Sequence, residues 1–429
     1  MTSIEQTTLP NGLPLYRIAV PGTRATTILI AFDAGARTER ADENGIAHFL
    51  EHLVFKGGEK YPSYRDVNRA AERIGAVLNA YTSHDLVAFH ITVRAERALE
   101  AADLLTDFAG RPRIDADELD RERGVVVQEI ARANDQPAMI AEHLIDQAAF
   151  GDHPLGRTVL GPTEHLRDTF TRDGVLAFRA RRWSPQRGAA FVVGNLDSLP
   201  SGSSGSGAGG GDGELAELFG RFAPAPAPDA GEPAPAFSPR VLVHERDSSQ
   251  SHLRMSYRPS IEVSDPRQRA ALLIYSTLLG GSMGSRLFDE IREQRGLAYS
   301  VHSIGHAYAD VPVLQLSAGL DSTKCVEAYS RMREIVTELR LHGPTEAEVE
   351  RARAYAAGAR AIAFENTGAV ARHAAQQTIV YGAGVDPDTT IELLDGVSVA
   401  EVVEIAAGVP DELSVACVGP HTIQELESA

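Results

Sequence analysis

Cysteine is nearly missing from this 429-residue chain. Cys325 and Cys417 are the only two, both in apolar-rich stretches, which excludes a disulfide framework and fits a reducing compartment. Also missing is any run approaching the ~18 apolar residues that a membrane span needs. The first fourteen residues hold neither a basic cluster nor an apolar core of the kind secretory leaders carry. The expectation is a cytoplasmic protein that does not enter a membrane. Basic side chains are in short supply: 41 Lys and Arg face 59 Asp and Glu, for a net charge of −18. Nucleic acid and anionic lipid surfaces are thereby excluded as main partners, and a basic peptide would be favoured over an acidic one. The same charge also serves solubility, whatever the chain binds.

What is present is a globular composition, 43% apolar and 23% charged, on a chain longer than the ~250 to 300 residues at which single cores stop growing. Two domains are expected. The clearest compositional break is at residues 201–213, SGSSGSGAGGGDG, and 224–236, PAPAPDAGEPAPA. The first reads as flexible coil and the second as an extended polyproline-like spacer, with a short helical piece at 214–222 between them. The division expected is therefore a domain at 1–222, a linker at 223–236 and a second domain at 237–429.

The two halves run through the same signals in the same order. Each opens with strand-like alternation (27–32; 251–257), followed by a helix (46–55; 287–295), another strand (87–93; 313–318) and then long Glu- and Ala-rich helices. Asp117-Glu-Leu-Asp-Arg121 aligns with Ala347-Glu-Val-Glu-Arg351, and both halves close on a strand ending in Val-Gly, at Val193-Gly194 and Val418-Gly419. A duplicated α+β fold is expected: two sandwich domains, each of mainly antiparallel sheet covered by helices. In that register Glu122 corresponds to Ala352 and Glu129 to Ala359, so only the first half keeps its acids. Chemistry belongs to the first copy and support to the second.

That chemistry centres on His48-Phe-Leu-Glu51-His52. On a helix, Ile46, Phe49, Leu50, Leu53 and Val54 form one apolar stripe, and His48, Glu51, His52 and Phe55 fall on the other side. Asn44 is placed to cap the start and Gly57-Gly58 to end the helix. Imidazoles at i and i+4 stand one above the other and can share a metal ion, with the carboxylate between them as a base. The order His-x-x-Glu-His reverses the thermolysin-type motif. A lone histidine on such a face would more simply be a polar surface residue; two with an intervening acid point to zinc. A third ligand must come from elsewhere. Glu129 is the best candidate, with Glu122 two turns earlier on the same helix face and able to orient a ligating imidazole.

The motif, Glu129 lying 77 residues after His52, the duplicated halves and the chain length together resemble the pitrilysin/insulinase family of inverted-motif zinc metallopeptidases. The likeness is greatest to its short members, the mitochondrial processing peptidase subunits and their bacterial relatives. The resemblance implies zinc held by His48, His52 and Glu129, with Glu51 as general base. The segment Gly75-Ala-Val-Leu-Asn79-Ala80-Tyr-Thr82-Ser83 is similar to the family's substrate-pairing edge strand, which makes Asn79, Ala80 and Thr82 substrate-binding candidates. Gly280-Gly-Ser-Met-Gly-Ser-Arg-Leu-Phe288, followed by Ile291-Arg292-Glu-Gln-Arg-Gly-Leu-Ala-Tyr299, is similar to the family's glycine-rich loop and Arg/Tyr pair. Arg292 and Tyr299 would then act on the substrate or the oxyanion, with Arg295 a rival for the arginine. Phe89, where a tyrosine is common, and the Gly/Ser insertion depart from the pattern. The resemblance further implies half of a clamshell-like chamber, closed by a second copy or a paralogous subunit, that cleaves unfolded peptides or leader segments. A non-catalytic subunit of a processing complex is the alternative, which the intact His48, Glu51 and His52 argue against.

Overall fold

The computed structural model describes residues 3–198, 210–225 and 231–429. Residues 201–209 of the Gly/Ser tract and 226–230 of the Pro/Ala spacer lie outside these, so the coil and spacer expected there are not described. The short helix beyond the tract starts earlier and ends sooner than its sequence suggests, at Gly210–Phe219. Leu215, Phe219 and Phe222 are buried in the first core and tie it down.

The chain forms two compact units, and neither is contiguous. The first comprises residues 1–130, 158–232 and 362–388; the second comprises 131–157, 233–361 and 389–429. This differs from the division at 222 and 237 read from composition. Each unit takes a helix from beyond the boundary.

In the first unit a six-stranded sheet is built from β1 (Ile4–Thr8), β2 (Pro14–Ala19), β3 (Ala25–Phe32), β4 (Val77–Thr82), β5 (Val87–Arg94) and β6 (Gly188–Gly194). Its order is β1-β2-β6-β3-β5-β4, with β2 and β6 parallel and the other pairs antiparallel. On one face Ile28, Ile30, Phe32, Phe89 and Ile91 meet Phe49, Leu50, Leu53, Leu105 and Phe108 from the helices Ile46–Val54 and Ala98–Gly110. The residues in between, Thr27, Leu29 and Ala31, point to the other face and are equally buried. The helix Thr367–Ile379 covers them, and Thr27 Oγ1 lies 2.8 Å from Thr367 Oγ1 at its start. The alternation expected at 27–32 does not become one buried and one exposed face: burial on both faces makes β3 a nearly continuous buried strand.

The second unit repeats the plan with β7 (Val241–Glu245), β8 (Gln250–Tyr257), β9 (Ala298–Ala307), β10 (Pro312–Asp321) and β11 (Ser414–Gly419) in the order β7-β11-β8-β10-β9. β7 and β11 are the parallel pair. Omitting β1, the order and direction match the first unit strand for strand. The helix Pro137–Phe150 covers one face of this sheet, seating Ile145 and Ala148 against Ala416 while Glu142 pairs with Arg254 at 2.7 Å. The helix expected at 287–295 is present as Phe288–Gln294, with backbone hydrogen bonds spanning five residues rather than the four of an α-helix. Among the described residues no helix is long and apolar enough to cross a membrane.

Candidate metal centre and active site

The helix Ile46–Val54 buries the apolar stripe expected of it and turns His48, Glu51 and His52 away from the core. Its start is built differently from the sequence reading. Asn44 does not cap: its amide donates to Glu39 Oε2 at 3.1 Å and to the Thr158 carbonyl at 2.9 Å. The cap is Glu39, seven residues before the helix, whose carboxylate accepts from Gly45 N at 2.9 Å and Ala47 N at 2.8 Å. Gly45 takes the N-cap position at φ +96°, where an added Cβ would lie 2.7 Å from the Leu160 carbonyl oxygen. An asparagine beside a glycine was the visible signal. A fully buried glutamate on the preceding turn leaves no local pattern.

The long helix Ala116–Asp135 brings the two acids to the histidines. Glu129 Oε2 lies 3.4 Å from His52 Nε2 and 3.7 Å from His48 Nε2, and one ligand atom from each residue falls within 4.8 Å of the others. Both carboxylate contacts are longer than an ordinary N–H···O hydrogen bond. His52 Nδ1 faces Glu122 Oε1 at 2.9 Å, where it donates its proton, so Nε2 presents its lone pair to Glu129. Lys56, not singled out from the sequence, pairs with the other oxygen of Glu122. With its Nε2 free of a proton, His52 turns a lone pair toward the Glu129 carboxylate, and that approach repels unless a cation sits between them. Two nitrogens and one oxygen form a donor set suited to a divalent ion, with a coordination position left over. The residues fit the group that the sequence predicted.

Titration behaviour agrees. Burial, with the neighbouring His52, pushes His48 down to about 4, which leaves a neutral imidazole at neutral pH. His48 Nδ1 is itself buried, with no hydrogen-bond partner among the described residues. For His52, burial acts downward, but the hydrogen bond and charge of Glu122 and the charges of Glu129 and Glu51 outweigh it and raise its pKa above the ordinary value. Burial opposes ionisation of Glu122, and His52 and Lys56 together overcome it and hold its carboxyl low.

Glu51 is held by Thr82, whose hydroxyl donates to Glu51 Oε2 at 2.6 Å. Burial raises the Glu51 carboxyl above the usual range, against the lowering effect of Thr82. Thr82 closes β4, which among the described residues pairs only with β5 and is one edge of the sheet, as the sequence suggested for this segment. Asn79 and Ala80 lie on the same strand, Asn79 exposed. The Thr82 hydroxyl is committed to Glu51, so this residue positions a carboxylate in addition to lying on the edge strand. Arg292 and Tyr299 belong to the second unit. The Arg292 guanidinium stacks over Phe288 at 4.6 Å from the ring centre, with Glu293 at 3.6 Å. Tyr299 stands on β9, 56% exposed, its ring packed over Gly319, where a Cβ would come within 2.6 Å. Phe89 is a fully buried core residue.

A reversed His-x-x-Glu-His helix, a downstream glutamate carried to it by a second helix and a tandem-duplicated sandwich define an inverted-motif peptidase fold. Comparison with known proteins agrees with that class. The family model for insulinase, peptidase family M16, matches residues 18–163, and that for the peptidase M16 inactive domain matches 213–355. The chain belongs to the M16 insulinase (pitrilysin) family. An uncharacterized zinc protease of Streptomyces coelicolor is 30% identical over 97% of this chain and 90% of its own length. The uncharacterized zinc protease YmxG of Bacillus subtilis is 30% identical over 93% and 94%. The crystal structure of a peptidase M16 inactive domain from Pseudomonas fluorescens shares the fold at a TM-score of 0.87 and 18% identity, covering 98% of this chain and 99% of that one.

Proposed function

We propose that this chain is a zinc-dependent metalloendopeptidase that cleaves unfolded peptides or leader segments. The observation that carries the reading is the convergence of His48, His52 and Glu129 beside a buried Glu51 held by Thr82. Zinc bound there would supply Lewis acidity, polarising a peptide carbonyl and making nearby water acidic enough to lose a proton near pH ~7. Glu51 accepts that proton and returns it to the leaving amine, a task suited to a carboxyl whose proton affinity burial has raised. Glu122 keeps His52 in the tautomer whose Nε2 is free to ligate. The open edge of β4 is suited to an extended peptide added as a further strand, with Asn79 and Ala80 along it.

Arg292 and Tyr299 are assigned to steadying the substrate or the developing oxyanion, on the family pattern and the exposure of the Tyr299 ring. The net charge of −18 favours basic peptides, and the two reduced cysteines fit a cytoplasmic setting. A dimer, with a second copy or a paralogous subunit enclosing the substrate, completes the reading. The test is metal analysis of the purified chain together with cleavage of an unfolded peptide library. One zinc at the motif helix is expected, with hydrolysis lost to a chelator and restored by zinc. Hydrolysis indifferent to the chelator would reject the assignment.

A further inference from the structure

The second unit contains a cluster that the peptidase chemistry does not use. Cys325 opens the helix Cys325–His342, Cys417 lies in β11, and His421 follows that strand; all three are buried. Their ligand atoms lie within 4.8 Å of one another, and the two sulfurs are 3.9 Å apart, in S–H···S contact and not joined as a disulfide. We propose that Cys325, Cys417 and His421 form a second metal site, for a thiophilic d10 ion such as Zn2+ or Cu+.

Three observations support the assignment. The first is the sulfur spacing. Two thiolates ~2.3 Å from a common ion and 3.9 Å apart subtend roughly 115° at it, between the tetrahedral and trigonal angles. A disulfide, at about 2.05 Å, would need the sulfurs to close most of the gap that now separates them. The second is the orientation of the imidazole. Ser322 Oγ donates to the Ser248 carbonyl at 2.8 Å, and Ser251 Oγ donates to Ser322 Oγ at 3.0 Å. With its proton spent, Ser251 Oγ accepts from His421 Nε2 at 2.7 Å. The Nε2–H tautomer leaves Nδ1 as the nitrogen with a lone pair, the arrangement a ligating histidine requires of its outer partner.

The third comes from the duplication, which supplies an internal control. By strand order and the shared Val-Gly ending, Cys417 corresponds to Val192 and His421 to Leu196, and as the first residue of the matching helix Cys325 corresponds to Ala98. In the first unit these three pack within or against the apolar core. The fold therefore asks only for apolar filling here, and the second copy alone has two thiols and an imidazole, soft and borderline donors of the kind that select zinc or copper(I).

The test uses the full chain, reduced and held without oxygen, loaded separately with Zn2+ and with Cu+ and then freed of loose metal. Wild type should retain one metal equivalent more than the triple variant Cys325→Ala, Cys417→Val, His421→Leu, which installs the first unit's own side chains and so should fold. As a second measurement, a His48→Ala, His52→Ala variant loaded with Cd2+ should show a thiolate-to-metal charge-transfer band. Retention of either Zn2+ or Cu+ supports the site and tells the two ions apart. Equal metal content in wild type and triple variant, absence of the thiolate band, or oxidation of the pair to a disulfide with no metal taken up would each overturn it.

Discussion

At the scale of single residues, the site depends on side chains that fix other side chains. Glu122 touches no reacting atom, yet its hydrogen bond sets the tautomer of His52. Replacing Glu122 with Gln should weaken zinc binding by about 10- to 100-fold. A chelator-competition titration measures this, and unchanged affinity would remove Glu122 from the ligand-orienting role. Most of this layer was visible in the sequence: the pentapeptide sets two imidazoles and a carboxylate at helical spacing, and Glu122 and Glu129 lie two turns apart on one helix face. Glu39, Lys56 and the Thr82 contact to Glu51 were not visible in this way. Each is a tertiary contact between separate elements, and no periodicity marks a carboxylate that will meet a helix end only after the chain has turned.

At the scale of elements, the motif helix is nine residues long and begins in an interior where its backbone donors need partners. Glu39 provides them, at a cost. Burial pushes its carboxyl up to about 7, although Ala47, Gly45 and Asn44 all act to lower it. In the unfolded chain the same group ionises near 4.5. The folded state therefore holds a proton that the unfolded state has lost, and stability falls as pH rises from 4.5 to 7, then levels off. Glu39→Gln cannot titrate. Its stability relative to wild type should rise across that interval by about 1 to 3 kcal/mol. Urea unfolding of both proteins at pH 5 and pH 7.5 checks the sign, and a gap constant with pH would contradict it. Strands and helices were legible here because their apolar spacing is local. The wide-wound turn at Phe288–Gln294 was not, since a helical repeat does not distinguish the two windings over seven residues.

At the scale of the whole molecule, duplication was legible and the exchange of helices was not. An amphipathic pattern shows that a helix buries one face; it does not say against which sheet. Thr367–Ile379 serves the first unit although it comes late in the chain, and Pro137–Phe150 serves the second although it comes early. A fragment ending at residue 232 would leave Thr27, Leu29 and Phe191 without cover on one sheet face. Exposed apolar area of that kind drives association. The fragment should aggregate or fail to unfold cooperatively, as size-exclusion chromatography and thermal unfolding would show. A stable monomer would mean that the first unit does not need its late helix.

The central claim is that Glu51 carries the proton while His48, His52 and Glu129 hold the metal. The measurement that tests it most directly is the Glu51→Gln variant, assayed together for zinc content and for cleavage of an unfolded peptide. The account predicts zinc bound as in the wild type and turnover reduced by at least a hundredfold, within the ~10²- to 10⁴-fold range of general acid–base catalysis. Retained turnover would contradict it.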